Sequence, residues 1–132
     1  KSLIIIVPDH YGCYPTGLEG EEERHHVPLI FSGNALLHNG VRIGTYGSQT
    51  DIAATLLGQL GLDSSEFLFS RDMLRGTTPG FAFYSSPNAF AISDSSNTTI
   101  IDIATGNVDG DETSANNAKA YIQTLFNYLD SI

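Results

Sequence analysis

Leu3-Ile4-Ile5-Ile6-Val7 is an unbroken run of branched aliphatic residues closed by Pro8, Asp9 and His10. No polar residue alternates with the apolar ones, which is the pattern of a strand buried on both faces in a parallel sheet covered by helices. Val27-Pro28-Leu29-Ile30-Phe31 reads as a second such strand, with Pro28 near its start, where a missing donor is tolerated, and Ser32-Gly33-Asn34 as its end. Between the two, residues 11–24 hold Gly12, Pro15, Gly17, Gly20 and three consecutive glutamates, the composition of a polar loop. The front of the chain therefore predicts an α/β fold built on a partial sheet of parallel strands with helices.

Residues 41–46 read as a short connecting strand or extended loop. Beyond them Gly47-Ser48-Gln49-Thr50-Asp51 opens a helix: Ser48 can cap its free N–H groups and Asp51 suits the positive end of its dipole. Ile52, Leu56, Leu57 and Leu60 then fall on one face, and Gly61 supplies the stop. The period next switches to two. Phe81-Ala82-Phe83-Tyr84, Ala89-Phe90-Ala91-Ile92 and Thr99-Ile100-Ile101-Asp102-Ile103 are strand-like, and the sets Ser85-Ser86-Pro87-Asn88 and Asp94-Ser95-Ser96-Asn97 are turn-forming. They predict a C-terminal antiparallel β-meander, closed by residues 107–111. A terminal helix follows, capped by Thr113 or Ser114, with Ala118, Tyr121, Ile122, Leu125, Phe126 and Leu129 at helical spacing.

The chain has 132 residues, enough for one domain, and six basic residues against fifteen acidic ones give a net charge of −9. That sign excludes nucleic acid as a partner, since nothing neutralises a phosphate backbone, and it repels anionic lipid surfaces. No run approaches the roughly 18 apolar residues of a membrane-spanning helix. Cys13 is the only cysteine, so no intrachain disulfide and no multi-cysteine metal site can form. No helix start follows it to lower its pKa, which favours an incidental loop thiol over a nucleophile. The chain begins with Lys1 and enters a strand within two residues, from which we expect a piece of a longer protein.

Chemistry concentrates at Asp9 and His10. In open α/β sheets ligands bind beyond the carboxyl ends of the strands, and this pair stands there. A carboxylate and an imidazole suit Zn²⁺ or Mn²⁺ and also serve as acid and base. The competing reading is an ordinary turn or cap at a strand end. Zinc takes about four ligands, so the pair amounts to half a site unless histidines such as His25 and His26 fold back to it.

The run Ile4-Ile5-Ile6-Val7-Pro8-Asp9-His10-Tyr11-Gly12 resembles the strand and Asp-His signature of the alkaline phosphatase superfamily, in its lipoteichoic acid synthase-like and sulfatase-like branch. His26-Val27-Pro28-Leu29-Ile30 resembles the strand that follows the metal-binding loop in these enzymes. Tyr46-Gly47-Ser48-Gln49-Thr50-Asp51 and the following Thr55-Leu56-Leu57 and Leu60-Gly61 are similar to the family's next helix. Phe69-Ser70-Arg71-Asp72-Met73-Leu74 is similar to a later turn. The four motifs stand in family order over residues 1 to about 75. Pro8 departs from the small or polar residue often found before the aspartate.

The resemblance implies that residues 1–132 are the C-terminal part of a single sulfatase-like or phosphotransferase-like domain. It further implies that Asp9 and His10 ligate a catalytic divalent metal, Mn²⁺ or Zn²⁺, and that His25 or His26 approaches the substrate's phosphate or sulfate. The nucleophile and remaining ligands are implied to lie upstream, so neither Cys13 nor Ser48 nor Thr50 takes that role, and Gln49 and Asp51 are read as structural helix-start residues. The implied parent is a hydrolase or transferase of sulfate or phosphate esters on the extracytoplasmic face of a bacterial membrane, with the isolated chain inactive. Its expected partners are the missing N-terminal half of the domain and, through exposed strand edges, further copies of itself. The alternatives are a non-catalytic binding or structural module and a different superfamily member such as a phosphatase or phosphomutase. The intact Asp-His pair favours an enzyme over the module.

Overall fold

The computed structural model describes residues 1–11, 23–36, 40–76 and 79–132. Cys13, Gly12 and most of the polar loop fall outside them. The chain divides into two compact units, Lys1–Ile43 and Gly44–Ile132.

In the first unit, strands β1 (Ile4–Ile6) and β2 (Ile30–Ser32) pair as a two-stranded ribbon, and a single 3₁₀ turn spans Glu23–His25. The pairing is antiparallel, with Ile4 opposite Ser32, Ile5 opposite Phe31 and Ile6 opposite Ile30. The expected parallel strands are therefore not what forms. An unbroken apolar run reports how well branched side chains suit an extended backbone, and does not by itself report cover on both faces. Burial alternates instead: Ile5 and Phe31 are half-buried, while Ile4, Ile6 and Ile30 on the opposite face are each about half exposed. The ribbon is fastened at its open end, where the Asn34 side chain accepts from the Ser2 N–H (2.6 Å) and Ala35 N–H donates to the Ser2 carbonyl (3.0 Å). Gly33, at φ +116°, makes that approach, and a Cβ there would lie 2.3 Å from the Ser2 oxygen.

The second unit opens with a 3₁₀ turn at Gln49–Asp51 running into helix α1 (Ile52–Leu60). Gly61 ends the helix in the left-handed region, φ 70°, and Leu62 N–H returns to the Leu57 carbonyl at 2.9 Å, as the sequence predicts. Ile52, Leu56 and Leu57 of the expected stripe are half-buried and Leu60 is exposed, while the deepest positions are Asp51, Ala54 and Thr55. Polar groups can take these positions because every one of them is bonded. The Asp51 carboxylate accepts from the Ser48 N–H (2.9 Å), the Arg71 N–H (2.8 Å), Arg71 Nε (3.2 Å) and Arg71 Nη2 (2.6 Å). Nη2 also reaches the Phe81 carbonyl at 2.6 Å, and the guanidinium lies 3.6 Å over the Phe81 ring. The Thr55 hydroxyl donates to the Asp51 carbonyl (2.6 Å) and accepts from the Met73 N–H (2.9 Å). Ser48 stands at the N-cap and forms a capping box with Asp51, as the sequence suggests, and its hydroxyl also exchanges bonds with the backbone of Phe83.

Strands β3 (Ala82–Ser85), β4 (Ala89–Ser93), β5 (Thr98–Asp102) and β6 (Val108–Asp109) form an antiparallel meander in chain order, the predicted arrangement with one short strand added. Asp94 turns the β4–β5 corner by accepting from the Ser96 (2.7 Å) and Asn97 (3.1 Å) amides. Helix α2 (Glu112–Leu129) starts from Asp111, whose carboxylate takes the Ser114 N–H at 2.8 Å, so the cap stands before the expected Thr113 or Ser114. Ala115 and Ala118 are fully buried against Ile92 and Ile101. Farther along, Tyr121 stacks on Phe83 with ring centres 4.6 Å apart and meets Phe69 and Phe81 edge-on. Among the described residues the fold is thus α/β, with two α-helices and antiparallel sheets.

Two measurements check this account. Asp51→Ala removes four acceptor bonds and leaves part of the Arg71 charge partnerless. With Arg71 partly exposed, the expected loss is about 2–4 kcal/mol in urea unfolding followed by circular dichroism. At the β5 end, the Thr105 backbone N–H and then its hydroxyl hold the Asp102 carboxyl below the usual 3.8. A depressed native pKa adds stability that is present above the unfolded carboxylate range and lost as pH falls through the native value. Thr105→Val should raise the Asp102 midpoint toward 3.8 in an NMR titration.

Candidate functional site

Asp9 and His10 follow β1 after Val7 and Pro8, and their side chains are open to solvent, at 88% and 66% exposure. Their arrangement is nonetheless ordered by the backbone. One Asp9 oxygen accepts the His10 amide N–H at 3.0 Å, and the other stands 3.6 Å from His10 Nε2. His10 Nδ1 lies 2.6 Å from the Tyr11 carbonyl. A carbonyl only accepts, so the neutral ring carries its proton on Nδ1 and leaves the Nε2 lone pair directed to the Asp9 side. Backbone anchoring of the remote nitrogen is how metal-binding histidines are commonly oriented. Two ligands at about 2.0–2.1 Å from a tetrahedral ion stand roughly 3.3 Å apart, close to the separation of these two donors. The donor set and its spacing fit a divalent cation.

His25 ends the 3₁₀ turn and His26 follows it; both are exposed. The antiparallel ribbon places them at the same end as Asp9 and His10, because the C-terminal end of β1 is the N-terminal end of β2. Carried past the ladder, the register sets His10 level with His26. A parallel ribbon would have sent the two pairs to opposite ends. The four residues do not close into a cage: among the described residues no three or more His, Cys, Asp or Glu side chains are grouped to hold a metal ion. Asp9 and His10 therefore stand as a pair, while His25 and His26 precede β2 at the same end of the ribbon.

The second unit carries a feature that the motif reading passed over. A cleft of about 470 Å³ is lined by Phe69, Phe81, Ile92, Tyr121 and Arg71, with Asn117 at its polar side. Arg71 brings little net charge to it, being bonded to Asp51 and to the Phe81 carbonyl. The available signal was Arg71 itself, a cation two residues past the apolar run Phe67-Leu68-Phe69. Asp51 serves helix-start structure, as expected for that position.

No protein-family model matches the chain, and neither the curated proteins nor the solved structures contain a match.

Direct observation of the His10 ring gives a test. A ¹⁵N-detected NMR experiment above the imidazole titration should show the Nδ1–H tautomer. A ring protonated on Nε2 would remove the anchored geometry.

Proposed function

We propose that this chain supplies Asp9 and His10 as two ligands of a divalent cation, Mn²⁺ or Zn²⁺, in a sulfatase-like or phosphoglycerol-transferase-like domain acting on sulfate or phosphate esters. The observation that carries this reading is the Nε2–carboxylate pair at 3.6 Å with Nδ1 tied to the Tyr11 carbonyl. The family resemblance of residues 1 to about 75 supplies the substrate class. It also supplies the division of labour, in which the nucleophile and remaining ligands come from polypeptide preceding these motifs, so that the 132 residues by themselves are inactive.

When bound, such a cation supplies Lewis acidity that polarises the ester oxygens and lowers the pKa of a hydroxyl nucleophile. Asp9 contributes a hard anionic oxygen and half of the charge needed to neutralise a divalent ion. His10 contributes a neutral nitrogen whose direction the Tyr11 carbonyl fixes. His25 or His26 would approach the anionic ester group, as the resemblance implies. The same resemblance would put the parent on the extracytoplasmic face of a bacterial membrane, although among the described residues no helix is long and apolar enough to cross one.

A second reading, a non-catalytic module keeping the fold, is favoured by one observation: the two donors are exposed and no third joins them among the described residues.

Calorimetry with Zn²⁺ and Mn²⁺ separates the two. Half a site should bind weakly, with a Kd on the order of 100 μM, and Asp9→Asn and His10→Gln should each abolish the heat. Tight stoichiometric binding would contradict the half-site, and binding unchanged in both variants would remove Asp9 and His10 from the proposal. Joined to its upstream sequence, the chain should hydrolyse an aryl phosphate or aryl sulfate and lose that activity in His10→Gln.

A further inference from the structure

We propose that the outer stripe of α2 is a self-association surface, pairing antiparallel with α2 of a second copy of this chain about a two-fold axis near Leu125. The proposal does not rest on the metal reading. The stripe that is sealed at Ala115 and Ala118 opens toward the C-terminus: Ile122 is half-buried, Phe126 is 57% exposed and Leu129 is 50% exposed. These three recur at i, i+4 and i+7, one face of a helix. Tyr121 and Tyr128 turn to the neighbouring side and pack on Phe69, so they leave the stripe free.

The occupant follows from charge. A chain of net charge −9 repels its own copies over most of its surface. Helix α2 is the exception, for its charged residues are only Glu112 at the first turn and Lys119, with Asp130 just past its end. Lys119 and Asp130 are eleven residues apart, about three turns, so they lie on the same edge of the open stripe at its two ends. A two-fold axis midway reverses one helix against the other and brings each Lys119 within one turn of Asp130 in the second copy. The same operation sets Ile122 against Leu129 and the two Phe126 rings beside each other. The Lys119–Asp130 and Ile122–Leu129 contacts are each made twice and the Phe126 pair once, on the axis, as an isologous interface requires. A partner of another kind would have to match this charge order by coincidence, whereas a second copy matches it by symmetry.

Sedimentation equilibrium on the full 132-residue chain, from about 10 μM to 1 mM, tests the pairing. The expected result is a reversible monomer–dimer equilibrium. Phe126→Ser should weaken it at least about tenfold with an unchanged circular dichroism spectrum. Lys119→Glu and Asp130→Lys should each weaken it several-fold by setting like charges opposite, and the double variant should restore it to within about twofold. A monomer throughout the range overturns the proposal, as does a double variant no tighter than the singles. Loss of the dimer in Ile6→Thr but not in Phe126→Ser would assign association to the β1–β2 ribbon instead. Binding of the monomer to phosphatidylglycerol vesicles through Phe126, without dimerisation, would overturn it in favour of a lipid surface.

Discussion

The second unit depends on one carboxylate. Asp51 is 1% exposed, and an ion buried that deeply is tolerated only when its charge and its lone pairs are met. Arg71 meets them twice, through the side-chain fork and through its own backbone N–H, and Ser48 completes the set. The geometry ties three pieces distant in sequence: the start of α1, the segment from Phe69 to Met73 and the first strand of the meander. Arg71 reaches that strand through the Phe81 carbonyl and ring, and Ser48 reaches it through Phe83. Hydrophobic cover comes second. Tyr121 of α2 packs on Phe69, Phe81 and Phe83, which the polar network has already brought together.

Much of this was legible in the amino-acid order, and the rest was not for identifiable reasons. The meander could be read because alternation, Pro87 and the Asp94–Asn97 corner act over a few residues. Gly61 was legible because a left-handed stop admits few other residues. The direction of β1 against β2 was not, since two three-residue strands carry nothing in their residue types that says which way the neighbour runs. On α1 the exposure of Leu60 and the depth of Asp51 were not legible, because hydrophobic periodicity ranks a leucine above a carboxylate for burial. A fully bonded ion pair reverses that order, and Arg71 lies twenty residues away from the helix start that it completes. At the candidate site, Asp9 and His10 were singled out by their position after β1 together with the family resemblance, not by residue type alone. The role of the Tyr11 carbonyl required coordinates, because a backbone acceptor has no signature in sequence.

The two units also differ in how they hold their chemistry. The buried network of the second is closed on itself and leaves the cleft beside Arg71 with a compensated charge. The first unit does the opposite, presenting a carboxylate and an imidazole to solvent on a short ribbon whose outer isoleucines are about half exposed. Donors so placed are pre-oriented by their own backbone and draw little on a surrounding core. That suits a site to be completed by groups from elsewhere.

The antiparallel register of the ribbon has an evolutionary consequence. Each residue added between Ile6 and His10, or between His26 and Ile30, lengthens the segment that carries one histidine beyond the ladder by at most roughly 3.4 Å and leaves the other unchanged. Related chains that keep the same chemistry should therefore hold these two intervals, three residues each, constant in length. Paired changes, one residue gained on each side, would be the exception because they preserve the level of the two histidines. Length conservation over so short a stretch would then mark the function even where the identities of the intervening residues drift.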